Sequence, residues 1–245
     1  MEEPLPPISL LRMGFVQYSK SLDAKEKKRI DKTVALDYIM EFLKDRVAPS
    51  RDRVAKVIPQ SYGDKVVLIK AGTSSGKSTA IPSALYKNFF DTVKKNTIIT
   101  QPRIINTVDI ALGLPEFYDF LEFGKNLGYQ TGPFTKKGTD RGLLFINIDS
   151  FYAVITSMSD EDIIKNYQFI VIDEVHVREV AMDGVLYKLK KFLTDNWQDP
   201  ECPIVILMSA TIEEISFMNY FEIPKQNFLN ISGISNKIYV NYPEY

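Results

Sequence analysis

The chain has 245 residues, of which 45% are hydrophobic, so it can build one large α/β domain or two small ones. Its formal charge of −1 excludes a globally basic surface, so any binding of nucleic acid must use a local groove. With Cys202 as the single cysteine and His176 as the single histidine, an internal disulfide and a Cys/His metal cluster are excluded. The acidic start after Met1 is unlike a signal peptide, and no apolar run is long enough to span a bilayer. These features predict a reducing, cytoplasmic location.

Residues 1–61 are predicted to form an arm and helices that pack on the main domain. The Pro-rich start and the charged run at residues 25–29 are typical of a solvated segment. Apolar residues at helical spacing predict a helix within Lys32–Lys44, and a second helical pattern contains Val54, Val57 and Ile58. A turn signal at Ser61–Asp64 then precedes the first core strand.

From residue 62 to residue 245, short apolar runs alternate with helical patterns. The predicted strands are Val66–Ile69, Thr97–Thr100, Leu143–Ile146, Phe169–Ile172 and Ile204–Met208. The predicted helices are Thr79–Phe90, Ile104–Leu112, Pro115–Phe123, Ser150–Ser157, Met182–Thr194 and Glu213–Tyr220. This alternation predicts an α/β fold with a mostly parallel sheet covered by helices on both faces. The basic segment Gly132–Gly142 is predicted to be a surface loop or a short hairpin.

A loop of small residues follows the first strand and leads into a helix. It comprises Ala71, Gly72, Thr73, Ser74, Ser75, Gly76, Lys77, Ser78 and Thr79. Backbone N–H groups and a helix start at this place favour binding of nucleoside-triphosphate phosphates. Lys77 is predicted to reach the β- and γ-phosphates, and Ser78 to hold Mg²⁺. The alternative is a plain Ser/Gly turn, because Ala71 stands where the strict pattern has glycine.

Two adjacent carboxylates, Asp173 and Glu174, directly follow the strand Phe169–Ile172. Ligands of open α/β sheets bind at the carboxyl ends of strands, so this position favours a catalytic role. Asp173 suits a Mg²⁺ ligand, and Glu174 suits the group that orients and deprotonates an attacking water. Adjacent carboxylates are also common in simple solvated turns.

Four further residues are candidates near the same edge of the sheet. His176 is a solvated loop residue, a general base or a residue that couples two loops, and coupling is preferred because Glu174 already serves as the base. Ser209 and Thr211 follow the strand Ile204–Met208 and can also cap the next helix. Arg103 follows the strand Thr97–Thr100 and can hold a phosphodiester.

The ordered segments Ala71–Ser78, Thr100–Arg103, Asp173–His176 and Ser209–Thr211 resemble motifs I, Ia, II and III of superfamily 2 helicases. Their details, including Arg178 and the segment Tyr220–Phe221, resemble the DEAH/DExH-box RNA helicases. The Asp173–His176 form is similar to that of the poxviral nucleoside-triphosphatase helicase, which favours a viral member, such as one from an asfarvirus. The resemblance covers about residues 62–245.

The resemblance implies a RecA-like P-loop NTPase domain that binds ATP or another NTP with Mg²⁺ and unwinds RNA. Gly72–Thr79 would bind phosphates, Ser78 and Asp173 would hold Mg²⁺, and Glu174 would activate water. His176, Ser209 and Thr211 would couple hydrolysis to strand movement, while Arg103 and Asp149 would hold the RNA backbone. Ser74, in place of glycine, and Ile148–Ser150, in place of Thr-Asp-Gly, depart from the family pattern. Gly113 stands where relatives stack an arginine on a base.

No segment after Thr211 resembles motif VI of a second RecA-like domain. The expectation is therefore the first motor domain of a longer helicase, which alone binds nucleotide weakly and hydrolyses it poorly. Two alternatives remain open. One is a DNA helicase or translocase, because phosphate contacts do not distinguish the sugars. The other is a non-catalytic P-loop module that docks proteins.

Overall fold

A computed structural model describes residues 35–47, 57–72, 75–132, 136–139, 141–211 and 214–231. The strands in these ranges are β1 (Val66–Ala71), β2 (Asn96–Gln101), β3 (Leu127–Gln130), β4 (Lys136–Gly138), β5 (Leu143–Asn147), β6 (Tyr167–Ile172), β7 (Ile204–Ser209) and β8 (Phe228–Ile231). The α-helices there are α1 (35–44), α2 (Lys77–Val93), α3 (Ile104–Gly113), α4 (Ile148–Ser157), α5 (Asp160–Asn166), α6 (Val180–Asn196) and α7 (Glu214–Phe221). Short 3₁₀ turns occupy Tyr62–Lys65, Leu114–Glu116 and Lys225–Asn227.

The strands form one sheet in the order β4-β3-β5-β2-β6-β7-β1-β8. Every neighbouring pair is parallel except β3 and β4, which are antiparallel. Parallel pairing places the carboxyl ends of β2, β6, β7 and β1 side by side along one edge. The loops that follow these four strands therefore meet at that edge.

Both faces of the sheet are buried, as the continuous apolar runs predict. Along β1, Val66 and Leu68 belong to the core that includes Phe151 of α4. The alternate residues of β1 belong to the opposite core, which includes Leu43 of α1 and Leu85 of α2. The predicted α/β fold with a mostly parallel, helix-covered sheet is confirmed, and α1 confirms a helix before the first strand. None of the helices in the described ranges is long and apolar enough to cross a membrane.

One predicted helix is wrong, and another is wrong at the end that the structure describes. Val57 and Ile58 lie in an irregular, exposed segment, while Val54 lies outside the described residues. The segment predicted as Pro115–Phe123 contains only the turn Leu114–Glu116. Its remaining part is a loop held by Asn126, whose side chain accepts from the Glu122 N–H at 2.8 Å and donates to the Phe120 carbonyl at 2.9 Å. Isolated backbone turns, such as the bond from the Tyr118 N–H to the Leu114 carbonyl at 3.0 Å, and these side-chain contacts thus take the place of a continuous helix.

The sequence prediction missed three elements because each is short and weakly patterned. β3 has four residues including a glycine, and β8 pairs with β1 through only four residues. α5 buries Ile163 alone, although its Ser159 cap and acidic first turn are recognisable helix-start signals. The basic segment 132–142 contributes β4, which pairs antiparallel with β3. A hairpin therefore forms, but its first strand lies before the predicted segment.

Candidate nucleotide site

The loop between β1 and α2 is shaped by a glycine at the start of the helix. Gly76 has φ +80°, a left-handed backbone conformation that residues other than glycine adopt only with strain. α2 begins at the next residue, and the Thr79 hydroxyl donates to the Gly76 carbonyl at 3.1 Å. The positive end of the helix dipole therefore points toward this loop. Thr73 and Ser74, which were predicted to bind phosphate, lie outside the described residues.

Ala71, at the first position of the loop pattern, is the last residue of β1. It is 2% exposed and pairs with Ile231 of β8. A methyl group at this place is buried in the sheet, and the backbone remains in strand conformation. The structure thus accommodates alanine where the strict pattern has glycine.

Asp173 lies immediately beyond β6 and is fully buried. Its Oδ2 accepts a hydrogen bond from Gln101 Nε2 at 2.8 Å, and its Oδ1 accepts one from the Glu174 N–H at 2.9 Å. Burial raises the pKa of Asp173, while hydrogen bonds from the Ser78 and Gln101 side chains and the charge of Lys77 act in the opposite direction. The carboxylate is therefore a buried group that is held by donors from three elements.

Glu174 extends from the same loop toward the start of α2. Its φ of +50° is left-handed, a conformation that costs a non-glycine residue roughly 1–2 kcal/mol. The Lys77 ammonium donates to Glu174 Oε1 at 2.7 Å, and the two side chains are 6% and 25% exposed. Folding thus brings together a lysine and a carboxylate that are 97 residues apart.

His176 connects this loop to the end of β7. Its Nδ1 lies 2.9 Å from Ser209 Oγ and 3.3 Å from Glu174 Oε2. Ser209 Oγ also accepts from the Thr211 N–H at 3.2 Å. The Val175 N–H donates to the Met208 carbonyl at 3.0 Å, so backbone contacts hold the same two segments together. A continuous polar path therefore runs from Glu174 through His176 to Ser209 and Thr211. The predicted cap of α7 by Thr211 involves residues 212 and 213, which lie outside the described ranges.

Arg103 and Asp149 lie at the same edge but away from the lysine–carboxylate pair. Gln101 and Asn147 are register partners at the ends of β2 and β5, and Arg103 and Asp149 each follow two residues later. Arg103 precedes α3 and Asp149 lies in the first turn of α4. Both are exposed. They form a second, more open part of the edge.

Gln101 is the site residue that sequence reasoning missed. It is 2% exposed and bonds directly to the Asp173 carboxylate. A buried amide at the end of a strand was the available signal, but spacing does not reveal a contact across 72 residues.

The oxygen atoms of Ser78 and Asp173 suit magnesium as ligands. The Ser78 hydroxyl lies close enough to the Asp173 carboxylate to act against the rise in its pKa, so two hard oxygen ligands are neighbours at this place. Within the described ranges no group of three or more His, Cys, Asp or Glu residues could hold a metal by itself. Such a small protein set suits an ion that takes its other ligands from phosphate oxygens and water.

Comparisons with known proteins agree with this geometry. A family model described as DEAD/DEAH box helicase matches residues 52–218. A protein of African swine fever virus named "Putative RNA Helicase B962L" is 32% identical over 227 residues, which cover 86% of this chain and 23% of that protein. The "ATP-dependent RNA helicase TDRD9" of Rattus norvegicus is 32% identical over 176 residues, covering 71% of this chain and 12% of its own length. The chain thus spans less than a quarter of the length of these relatives.

Proposed function

We propose that this chain, which belongs to the DEAD/DEAH box helicase family, is the NTP-binding motor domain of an RNA helicase. The observation that carries the proposal is the contact between Lys77 and Glu174 beside the buried Asp173. A phosphate-binding lysine, a magnesium ligand and a water-activating carboxylate are the groups that NTP hydrolysis needs in one place.

Each group has a proposed role in hydrolysis. The N–H groups of Gly72–Thr79 and the start of α2 bind the phosphates, and Lys77 binds the terminal ones. Ser78 and Asp173 hold Mg²⁺, which when bound neutralises charge on the phosphate oxygens. Glu174 orients the attacking water and accepts its proton at a carboxylate oxygen. Because Lys77 also pairs with Glu174, phosphate binding to the lysine would release this carboxylate for its role as base.

The polar path beyond Glu174 is proposed to couple hydrolysis to movement. A change at Glu174 reaches His176 through the 3.3 Å contact and Ser209 through the 2.9 Å contact. Thr211 then follows through its backbone bond to Ser209. A rearrangement of the loop that carries Glu174 would thereby be transmitted to the end of β7.

RNA is the proposed polynucleotide, held by Arg103 and Asp149. The guanidinium of Arg103 suits a phosphodiester, and its exposure leaves it accessible. Support for RNA comes from the relatives, whose names describe RNA helicases. The proposed setting is the cytoplasm, which suits a chain with one free, buried cysteine.

We propose that a second RecA-like domain of the same polypeptide completes the site. The support is the greater length of the relatives, of which this chain matches only 23% or less. In enzymes whose phosphate site lies between two domains, an arginine supplied by the second domain accelerates phosphoryl transfer by several orders of magnitude. The 245-residue chain alone is therefore expected to bind nucleotide but hydrolyse it slowly.

RNA-stimulated hydrolysis and strand displacement by the longer polypeptide test this function. Matched RNA and DNA duplexes are compared, with Glu174→Gln as the catalytic variant. We expect displacement of RNA and a loss of about 10²–10⁴-fold in hydrolysis in the variant, which is the usual contribution of a general base. Equal hydrolysis by the variant contradicts the role of Glu174. Displacement of DNA alone indicates a DNA helicase, and no hydrolysis of any NTP indicates a docking module.

A further inference from the structure

We propose that Gln101 is a positioning residue that orients the Asp173 carboxylate toward the bound magnesium–nucleotide complex. This inference rests on the proposed function, because it assumes that Asp173 contributes to a magnesium site. The supporting contact is the 2.8 Å hydrogen bond from Gln101 Nε2 to Asp173 Oδ2.

The sheet determines where this contact can form. β2 and β6 are parallel neighbours, and their last paired residues are Thr100 and Ile172. Gln101 is the last residue of β2 and Asp173 directly follows β6, so they meet at the edge where ligands bind. Gln101 is also the final register partner of Asn147 on β5. Pairing on that side fixes its backbone, so the amide starts from a rigid position.

Two bonds then define the orientation of the carboxylate. Gln101 binds Oδ2, and the Glu174 N–H binds Oδ1 at 2.9 Å. Each carboxylate oxygen has two lone-pair directions, so one direction on each remains for another ligand. The two donors thus select which lone pairs face the Ser78 hydroxyl, the other proposed magnesium ligand.

A neutral amide suits this task better than a cation. Lysine or arginine at position 101 would form an ion pair with Asp173 and would compete with a divalent ion for its charge. The glutamine amide donates a hydrogen bond and leaves that charge in place. Residues that orient metal ligands in this way typically contribute about 10–100-fold to metal affinity.

A purely structural role is the competing interpretation, and the chain provides a matched comparison. Gln130 ends β3, is also buried, and donates through Nε2 to the Gly132 carbonyl at 3.1 Å. It therefore closes a local turn, whereas Gln101 binds a carboxylate at the proposed site. Gln130→Met is the control for loss of a buried glutamine amide at the end of a strand.

The test measures binding of a fluorescent ADP analogue to the 245-residue chain as Mg²⁺ is titrated, with a parallel titration in EDTA. Mn²⁺ and its electron paramagnetic resonance spectrum provide a direct second readout of the metal. Gln101→Met keeps the side-chain length but removes the donor. We expect it to raise the half-saturating Mg²⁺ concentration about tenfold, to weaken Mn²⁺ binding and to leave binding in EDTA unchanged. Gln130→Met should match the wild type in all three measurements.

The outcomes separate this inference from the function on which it rests. If the wild type and Gln130→Met show Mg²⁺-dependent binding and Gln101→Met has the same Mg²⁺ dependence, the positioning role is wrong and the proposed function stands. If Gln101→Met loses binding equally with and without Mg²⁺, the role is structural and the inference is again overturned. If the wild type shows no Mg²⁺-dependent nucleotide binding, the proposed function fails and this inference fails with it.

Discussion

Replacement of Glu174 by glutamine should tighten nucleotide binding even as it removes hydrolysis. In the structure, Glu174 Oε1 accepts from the Lys77 ammonium at 2.7 Å, and Lys77 is only 6% exposed. Nucleotide phosphate must therefore compete with this carboxylate for the lysine. An amide oxygen is a weaker competitor because it carries no net charge.

The size of the effect follows from the nature of this pair. Hydrogen bonds to charged groups contribute about 1.5–3 kcal/mol. A glutamine oxygen at position 174 would still accept from the charged Lys77 ammonium, so loss of the carboxylate charge should weaken this contact by at most about 1.5 kcal/mol. Since Glu174 is one-quarter exposed, solvent screens part of the difference, and we take about 1.4 kcal/mol. This value corresponds to an approximately tenfold lower Kd.

Equilibrium titration with a fluorescent, non-hydrolysable ATP analogue measures this Kd. Glu179→Gln is the matched control, because it also removes one negative charge, from an exposed residue just before α6. We expect the control to bind like the wild type. A Kd for Glu174→Gln equal to or higher than that of the wild type would refute competition between the carboxylate and the phosphates.

Three further predictions concern the fold. Phe145 is fully buried at the centre of β5, so Phe145→Ala should lower the free energy of unfolding by about 3–5 kcal/mol in denaturant titrations. Phe117 is 77% exposed, so Phe117→Ala should change this free energy by less than about 0.5 kcal/mol. Asn227→Ala removes the amide donor to the carbonyls of Asp64 and Val66 and should cost about 1–3 kcal/mol in the same assay. Burial raises the pKa of the Cys202 thiol to about 12, so a thiol reagent at pH 9 should label it only after unfolding. The unfolded thiol ionises near pH 8.5, and the contribution of Cys202 to stability should therefore fall as the pH rises above that value.

The sequence predicts those parts of the molecule that depend on local pattern. Continuous apolar runs such as Phe169–Ile172 predict buried parallel strands, because such strands lose polar alternation when both faces are covered. The small residues around Gly76 predict the loop before α2 for a similarly local reason. Fold class and the positions of the loops at the sheet edge follow from these patterns.

Contacts between distant segments could not be predicted. The pairing of Lys77 with Glu174 spans 97 residues, and the bond from Gln101 to Asp173 spans 72. Both depend on which strands become neighbours, and that order is not encoded in spacing. The error at Pro115–Phe123 partly shares this origin, because Asn126, which holds that loop, also donates to the Tyr86 hydroxyl, 40 residues away, at 3.0 Å.

Nucleotide binding by Lys77→Ala is the sharpest test of the loop between β1 and α2 as a nucleotide site. The 245-residue chain is titrated with Mg²⁺ and a fluorescent ATP analogue. Lys125→Ala serves as the control, because its ammonium is exposed and pairs with Glu122, three residues earlier. We expect saturable binding by the wild type and the control, and a loss of at least about tenfold in affinity for Lys77→Ala, because the variant lacks a charged hydrogen bond to phosphate. Equal affinity of all three proteins would contradict the assignment of the loop around Lys77 as the nucleotide site.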